Sequence, residues 1–185
     1  MHPSNDPSPA PGFGASPDCC PSEFCLDHVA VRIAAEGDQQ ALRELFQESI
    51  IEGLVGDNDT GADIDNLREG YFEDGGQSAF WVAEYSALVV GMIGVQKIAD
   101  NSAEVRRLRV RNAYRRRGLG AVLMERALSF CQRQGYLKVV LDVRIERGPA
   151  IALFQKFGFK HGRTREIGGR KLLDFYIDLY SDPRG

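Results

Sequence analysis

The alternation of apolar and polar residues changes period several times along the chain, and each change marks an element. Val29-Ala30-Val31-Arg32-Ile33 has period two and predicts a first or edge strand. From Asp38 the period lengthens: Ala41, Leu42, Leu45 and Phe46 share one face of a predicted helix. Residues 53–65 read as a loop carrying Asp57, Asp59, Asp63 and Asp65. A second helix is expected over 64–72, stopped by Gly75-Gly76. Phe80-Trp81-Val82-Ala83-Glu84 and the run from Leu88 to Val95 predict a hairpin. The next strand, Glu104 to Val110, places Val105, Leu108 and Val110 one residue off strict alternation. Either both faces are buried, or a bulge sits near Arg106-Arg107 and leaves strand amides free for a ligand.

Leu119, Leu123, Ala127, Phe130 and Cys131 define the apolar face of a helix over 119–134, with Gly135 as its C-terminal cap. Lys138 to Val143 reads as a buried strand, parallel to the preceding one through that helix. Pro149 opens a further helix with Ala150, Leu153, Phe154 and Phe157 on one face, ended by Gly158. Residues 159–165 and 172–179 form a last hairpin around Gly168-Gly169. The order β-α-α-β-β-β-α-β-α-β-β predicts one mixed α/β domain around a central sheet.

Composition adds boundaries and charge. Residues 1–27 are rich in Pro, Ser, Gly and Asp. Such a stretch buries too little apolar surface to offset its ordering entropy, so a disordered tail is expected before a domain over 28–181, with 182–185 as a second tail. Hydrophobic residues at 43% and charged ones at 26% of 185 residues fit an ordinary globular domain. No apolar run has the length of a membrane span and no signal peptide is read, so a soluble, cytoplasmic protein without a membrane partner is expected. Cys19, Cys20 and Cys25 lie in the tail without a fourth metal ligand at a recognisable spacing, although His28 is near, and no metal is expected. Cys131 falls on a core face. The net charge of −3 hides a division: residues 1–100 hold 4 Lys/Arg against 18 Asp/Glu, and residues 101–185 hold 19 against 8. A basic half suits an anionic ligand.

The strongest chemical signal is Arg115-Arg116-Arg117-Gly118-Leu119-Gly120. A strand that feeds a glycine turn and then a helix N-terminus points unpartnered first-turn amides, and the positive end of the helix dipole, at one place. Glycine there lets a ligand approach the backbone. This is a phosphate site in outline.

Arg115-x-x-Gly118-x-Gly120, preceded by Leu108-Arg109-Val110, resembles the acetyl-CoA motif of the GNAT superfamily of N-acetyltransferases. Ala150-x-x-Leu153-Phe154-x-Lys156-x-Gly158-Phe159 resembles that family's second block. The resemblance covers roughly residues 29–180. It implies a single domain with a central, mostly antiparallel sheet that splays at the cofactor strands, flanked by helices. It also implies acetyl-CoA as cosubstrate. The amides of Arg116, Arg117, Gly118, Leu119, Gly120 and Ala121 would hold the pyrophosphate, helped by the arginine side chains. The backbone of Leu108, Arg109 and Val110 would pair with the pantetheine arm as an added strand. Arg147 and Phe154 stand where the family often has Asn and Tyr, and both are taken as lining the cofactor. That tyrosine is the usual acid for the departing thiolate, and Phe154 has no proton to give.

Acetyl transfer to an amine needs a base near the amine, a donor for the carbonyl oxygen and a departing thiolate. Glu104 is the first candidate base and Glu84 the second. The Leu108 amide is the expected oxyanion donor. Water, Tyr114 or Tyr176 could protonate the thiolate, whose ordinary pKa is about 8.5. The acidic loop favours a cationic acceptor: a polyamine, an aminoglycoside-like molecule, or a lysine or N-terminal amine of a peptide. A homodimer is compatible with these features. A nucleic-acid-binding module is disfavoured by the overall negative charge. A non-catalytic acyl-CoA sensor stands as the alternative that Phe154 invites. A P-loop is excluded by the missing Gly-Lys-Ser/Thr.

Overall fold

The structure, a computed structural model, describes residues 24–53 and 59–179. Strand β2 (Ala79–Tyr85) shows how the domain is layered. Ala79, Trp81, Ala83 and Tyr85 enter one core, and the alternate Phe80 and Val82 enter another. A strand apolar at nearly every position is what a sheet covered on both faces requires. The first core lies under α3 (Leu119–Arg133) and α4 (Gly148–Lys156), with Leu123, Met124, Phe130 and Phe154. The second lies under α1 (Gln39–Ile51) and the short α2 (Ala62–Asp65), with Leu42, Leu45, Phe46, Ile64 and Met92.

The other strands are β1 (Ala30–Ile33), β3 (Leu88–Ala99), β4 (Ser102–Val110), β5 (Lys138–Arg144), β6 (Lys160–Ile167) and β7 (Arg170–Asp178). They form one sheet in the order β1-β2-β3-β4-β5-β7-β6. Among the described residues only β4 and β5 are parallel neighbours; the other pairs are antiparallel. The predicted mixed α/β domain with a mostly antiparallel sheet is therefore observed, with β1 at an edge as expected.

Two features of β4 position the site. Arg106 pairs with Gly94 and Arg109 with Met92, so Arg107 and Leu108 together oppose the single residue Ile93. Arg107 has φ +59°. This is the bulge signalled by the broken alternation. Further, β4 and β5 pair only at Ser102–Lys138, Ala103–Val139 and Glu104–Val140. Beyond Glu104 the two strands continue without pairing, and a gap opens between them.

Two boundaries differ from the sequence reading. The expected second helix is broken: α2 ends at Asp65, Asn66 sits at φ −129°, and Arg68–Phe72 form a π turn. Tyr71 drives the break, because its ring packs on Phe80 at 4.8 Å while its hydroxyl donates to Asp63 at 2.7 Å. Nor does order begin at residue 28. Leu26–His28 form a 3-10 turn, and Phe24 packs on Tyr85 and Tyr114 at 4.9 and 5.4 Å. Aromatic contacts offset the ordering cost that composition alone assigned to residues 24–27. The remainder of the expected tail, with Cys19 and Cys20, lies outside the described residues, as does the short tail at 182–185.

Candidate active site

The gap between β4 and β5 widens into a cleft of about 1220 Å³. Its walls are β4 from Glu104 to Val110, β5 from Leu141 to Arg144, the turn before α3, and α4 with Arg147, Leu153 and Phe154. Among the described residues nine cationic side chains line it against three acidic ones, Asp59, Glu104 and Asp142, so this lining attracts anions.

The turn before α3 supplies a backbone cradle. Gly118 has φ +87°, a conformation that favours glycine, and Arg116 has φ +60°. A Cβ on Gly118 would also meet Leu26 at 3.1 Å. The amides of Leu119 and Gly120 open the helix and have no backbone acceptor among the described residues. Ala121 differs from expectation: its amide donates to the Gly118 carbonyl at 2.9 Å, so the free donors end at Gly120. These donors, with Arg116 beside the cleft, could hold an anionic group such as a diphosphate.

The arginines of the turn divide by role. Arg115 lines the cleft, but its Nε donates to the Val110 carbonyl at 2.8 Å and its Nη2 to Glu52 at 2.7 Å. It fastens the end of β4 to the turn. Arg117 is absent from the cleft wall and lies over the Phe24 ring at 5.6 Å. Leu119 contributes its amide only, since its side chain is fully buried.

Glu104 lies on the cleft wall, at the last residue before β4 and β5 part. Burial pushes its carboxyl above the usual range; Arg106, with Nε 3.6 Å away, opposes this, and Asp142 adds to it. A carboxylate with raised basicity is suited to accept a proton from an amine. The second candidate base, Glu84, is not on the cleft wall. It accepts hydrogen bonds from Arg32 at 2.7 and 2.9 Å on the far edge of the sheet, where Arg32 also bonds Asp38. Tyr114 is buried against Phe24 and Tyr85, away from the cleft. Tyr176 also lies off the cleft wall, its ring under Lys138. Phe154 does line the cleft, 6.1 and 6.4 Å from the rings of Phe159 and Phe175.

The acidic loop behaves differently from its sequence reading. Arg107 donates to Asp59 at 2.5 and 2.8 Å and to Asp63 at 2.5 and 2.9 Å, and Arg43 pairs with Asp65. Burial pushes Asp59 and Asp63 up, but the Arg107 bonds outweigh it and hold both carboxyls below the usual range. These acids are committed within the fold, and Asp57 lies outside the described residues. Arg109 is the reverse case. Its Nη1 donates to the Leu108 carbonyl at 2.9 Å, while its Nε is shielded from solvent and has no hydrogen-bond partner among the described residues. Burial, then the positive charges of Arg147 and Arg107, push its pKa down to about 9, with Asp59 opposing. Sequence reasoning grouped Arg109 with the expected cofactor strand and missed that its side chain forms no ion pair among the described residues.

Among the described residues no helix is long and apolar enough to cross a membrane. Cys131 is buried, and burial pushes its thiol up to about 12, which makes it inert.

This sheet, parted between β4 and β5 beside a glycine turn that opens α3, defines an acetyltransferase-type fold. The profile of the Acetyltransferase (GNAT) family matches residues 40–159, and the chain belongs to that family. Human N-acetyltransferase 8 is 36% identical over 103 residues, covering 53% of this chain and 45% of that protein. N-acetylaspartate synthetase of Xenopus tropicalis is 32% identical over 100 residues, 54% of this chain and 36% of that one. The match thus spans less than half the length of these relatives. Among solved structures, a GNAT acetyltransferase of Staphylococcus aureus superposes with a TM-score of 0.72 at 19% identity, covering 82% of this chain and 99% of that one. The yncA protein of Salmonella typhimurium, solved with its cofactor acetyl-CoA, gives 0.72 at 20% identity, covering 84% and 96%.

Proposed function

We propose that the chain transfers the acetyl group of acetyl-CoA to a primary amine by direct attack in a ternary complex. The observation that carries this is the parting of β4 and β5 beyond Glu104, which opens the cleft between a candidate base and a phosphate cradle. Acetyl-CoA supplies the thioester, whose C–S bond breaks as the amine forms a C–N bond to the acetyl carbon. Leu119 and Gly120 amides, with Arg116, hold the diphosphate end. Leu108, lifted by the bulge, offers its amide to the carbonyl oxygen. Glu104 takes the amine proton, directly or through one water. Phe154 excludes water beside the acetyl group and donates nothing, so solvent protonates the thiolate near its ordinary pKa of about 8.5.

The test is free-thiol release from acetyl-CoA against a panel of amines, small and peptide-borne. Amine-dependent release that Gly120→Trp abolishes supports the assignment. Tight acetyl-CoA binding by calorimetry with no amine-dependent release would favour the alternative suggested by Phe154, a non-catalytic acyl-CoA sensor.

A further inference from the structure

We propose that Arg109, with Arg147 beside it, receives a carboxylate carried by the amine acceptor, so that the acceptor is an amino acid or a close derivative. The inference rests on the acetyl transfer proposed above.

Register separates the two faces of β4. Val110 pairs with Gly91, whose missing Cβ would meet Leu123 of α3, so Val110 faces the α3 side. Arg109 pairs with Met92, which is buried in the core under α1 and α2. Glu104 pairs with Gln96, which bonds Arg106 at 2.6 Å and the Gly70 carbonyl at 2.9 Å on that same side. The candidate base and Arg109 therefore share the α1 side of β4, opposite the phosphate cradle.

Arg107 on this strand has two carboxylates, and Arg109 has none within ion-pair distance among the described residues. Arg147 at the start of α4 also lines the cleft, and no ion pair to it is formed among the described residues. Arg109 lines the cleft with its Nε shielded and without a hydrogen-bond partner among the described residues, burial and the Arg147 charge both lower its basicity, and such a guanidinium destabilises the free protein. An anion entering the cleft removes that cost. The diphosphate already has the turn amides and Arg116, which leaves this pair to a carboxylate close to the reacting amine. Arginine suits it because its fork matches a carboxylate's two oxygens.

The experiment compares the proteinogenic amino acids with their carboxamides as acceptors, in wild type and in Arg109→Met. Wild type should prefer the carboxylate member by about 10-fold or more in kcat/KM, the scale of a lost hydrogen bond to a charged group. In Arg109→Met that preference should collapse through KM, with acetyl-CoA affinity unchanged and Arg109→Lys intermediate. The free Arg109→Met protein should also melt at higher temperature than wild type, since a half-buried cation without an ion-pair partner among the described residues is gone. Preference for the amides would overturn the proposal. So would an Arg109→Met variant that loses acetyl-CoA affinity and keeps the preference, or one that melts far lower. A second arm needs no turnover: N-acetylglycine should raise the melting temperature of wild type with CoA, and N-acetylglycinamide should not. If no amine is acetylated, the proposed transfer fails, while this arm still decides whether Arg109 binds carboxylates.

Discussion

Replacing Arg107 by methionine removes the guanidinium that joins the bulge of β4 to Asp59 and Asp63. The side chain is 6% exposed and Asp63 13%, whereas Asp59 is 31% exposed. Breaking a buried pair by deleting one partner costs about 3–5 kcal/mol, because the remaining charge loses its compensation. Partial exposure of Asp59 places the expected loss near the low end, at about 3 kcal/mol. Methionine retains a Cβ at the positive φ and a flexible stem over the Phe46 ring, which lies 5.3 Å from the guanidinium carbon, so strain and packing change little. For a domain of this size the melting temperature should fall by about 6–12 °C. The pH dependence carries the sharper test. In wild type Arg107 holds both aspartates below their unfolded value of about 3.9, so their contribution is present above that value and lost as pH falls through the folded pKa. In the variant the buried carboxylates lose their partner and are pushed up by burial instead. The stability difference, measured by urea unfolding, should therefore be largest near pH 7 and shrink towards pH 4. A loss under about 1 kcal/mol, or one independent of pH, would refute this account of the clamp.

Glu104→Gln should lower kcat by about 100-fold or more while leaving acetyl-CoA affinity unchanged, the ordinary scale for a general base; equal turnover at every pH would remove Glu104 from that role. Glu104 works deprotonated and its pKa is already raised, so Arg106→Gln, which deletes an opposing positive charge, should move the acid limb of the kcat profile to higher pH, and Asp142→Asn should move it to lower pH. Phe154→Tyr restores a proton donor at the cleft wall and should speed thiol release most below pH 8.5, the region where the departing thiolate gains from protonation; an unchanged profile would show that solvent suffices. Gly118→Ala places a Cβ at φ +87° against Leu26 and should destabilise the fold by about 1–2 kcal/mol with weakened acetyl-CoA binding, both readable by thermal melting with and without acetyl-CoA.

What the chain discloses in advance follows from how local each cause is. The β2–β3 hairpin, the glycine turn and the two amphipathic helices are written in residues near one another, and each is found where periodicity placed it. The bulge is also local: the one-residue slip between Val105 and Leu108 is its trace. Tertiary partners are not. Glu84 is a strand-end carboxylate in sequence, and only folding brings Arg32, 52 residues away, onto it. Tyr114 closely follows β4, yet Phe24 and Tyr85 draw it into the core. The broken second helix depends on Tyr71 finding Phe80 and Asp63, contacts that no helical period encodes.

Charge shows the same limit in a form that bears on function. A cluster of aspartates before a cluster of arginines suggests two surfaces for two kinds of ligand. Folding instead lays one cluster on the other: Asp59 and Asp63 close on Arg107, Asp65 on Arg43, and Glu44 and Glu48 on Arg111. Subtracting these internal pairs leaves the cleft with a different charge from that of its sequence. Arg109 and Arg107 lie two residues apart, and the bulge between β3 and β4 separates their fates. Arg107 turns into the acidic loop and is neutralised, while Arg109 resumes the regular register opposite Met92 and forms no ion pair among the described residues. A negative chain thus presents a positive cleft, and among the described residues Arg109 is an arginine left in it after these internal pairs are made.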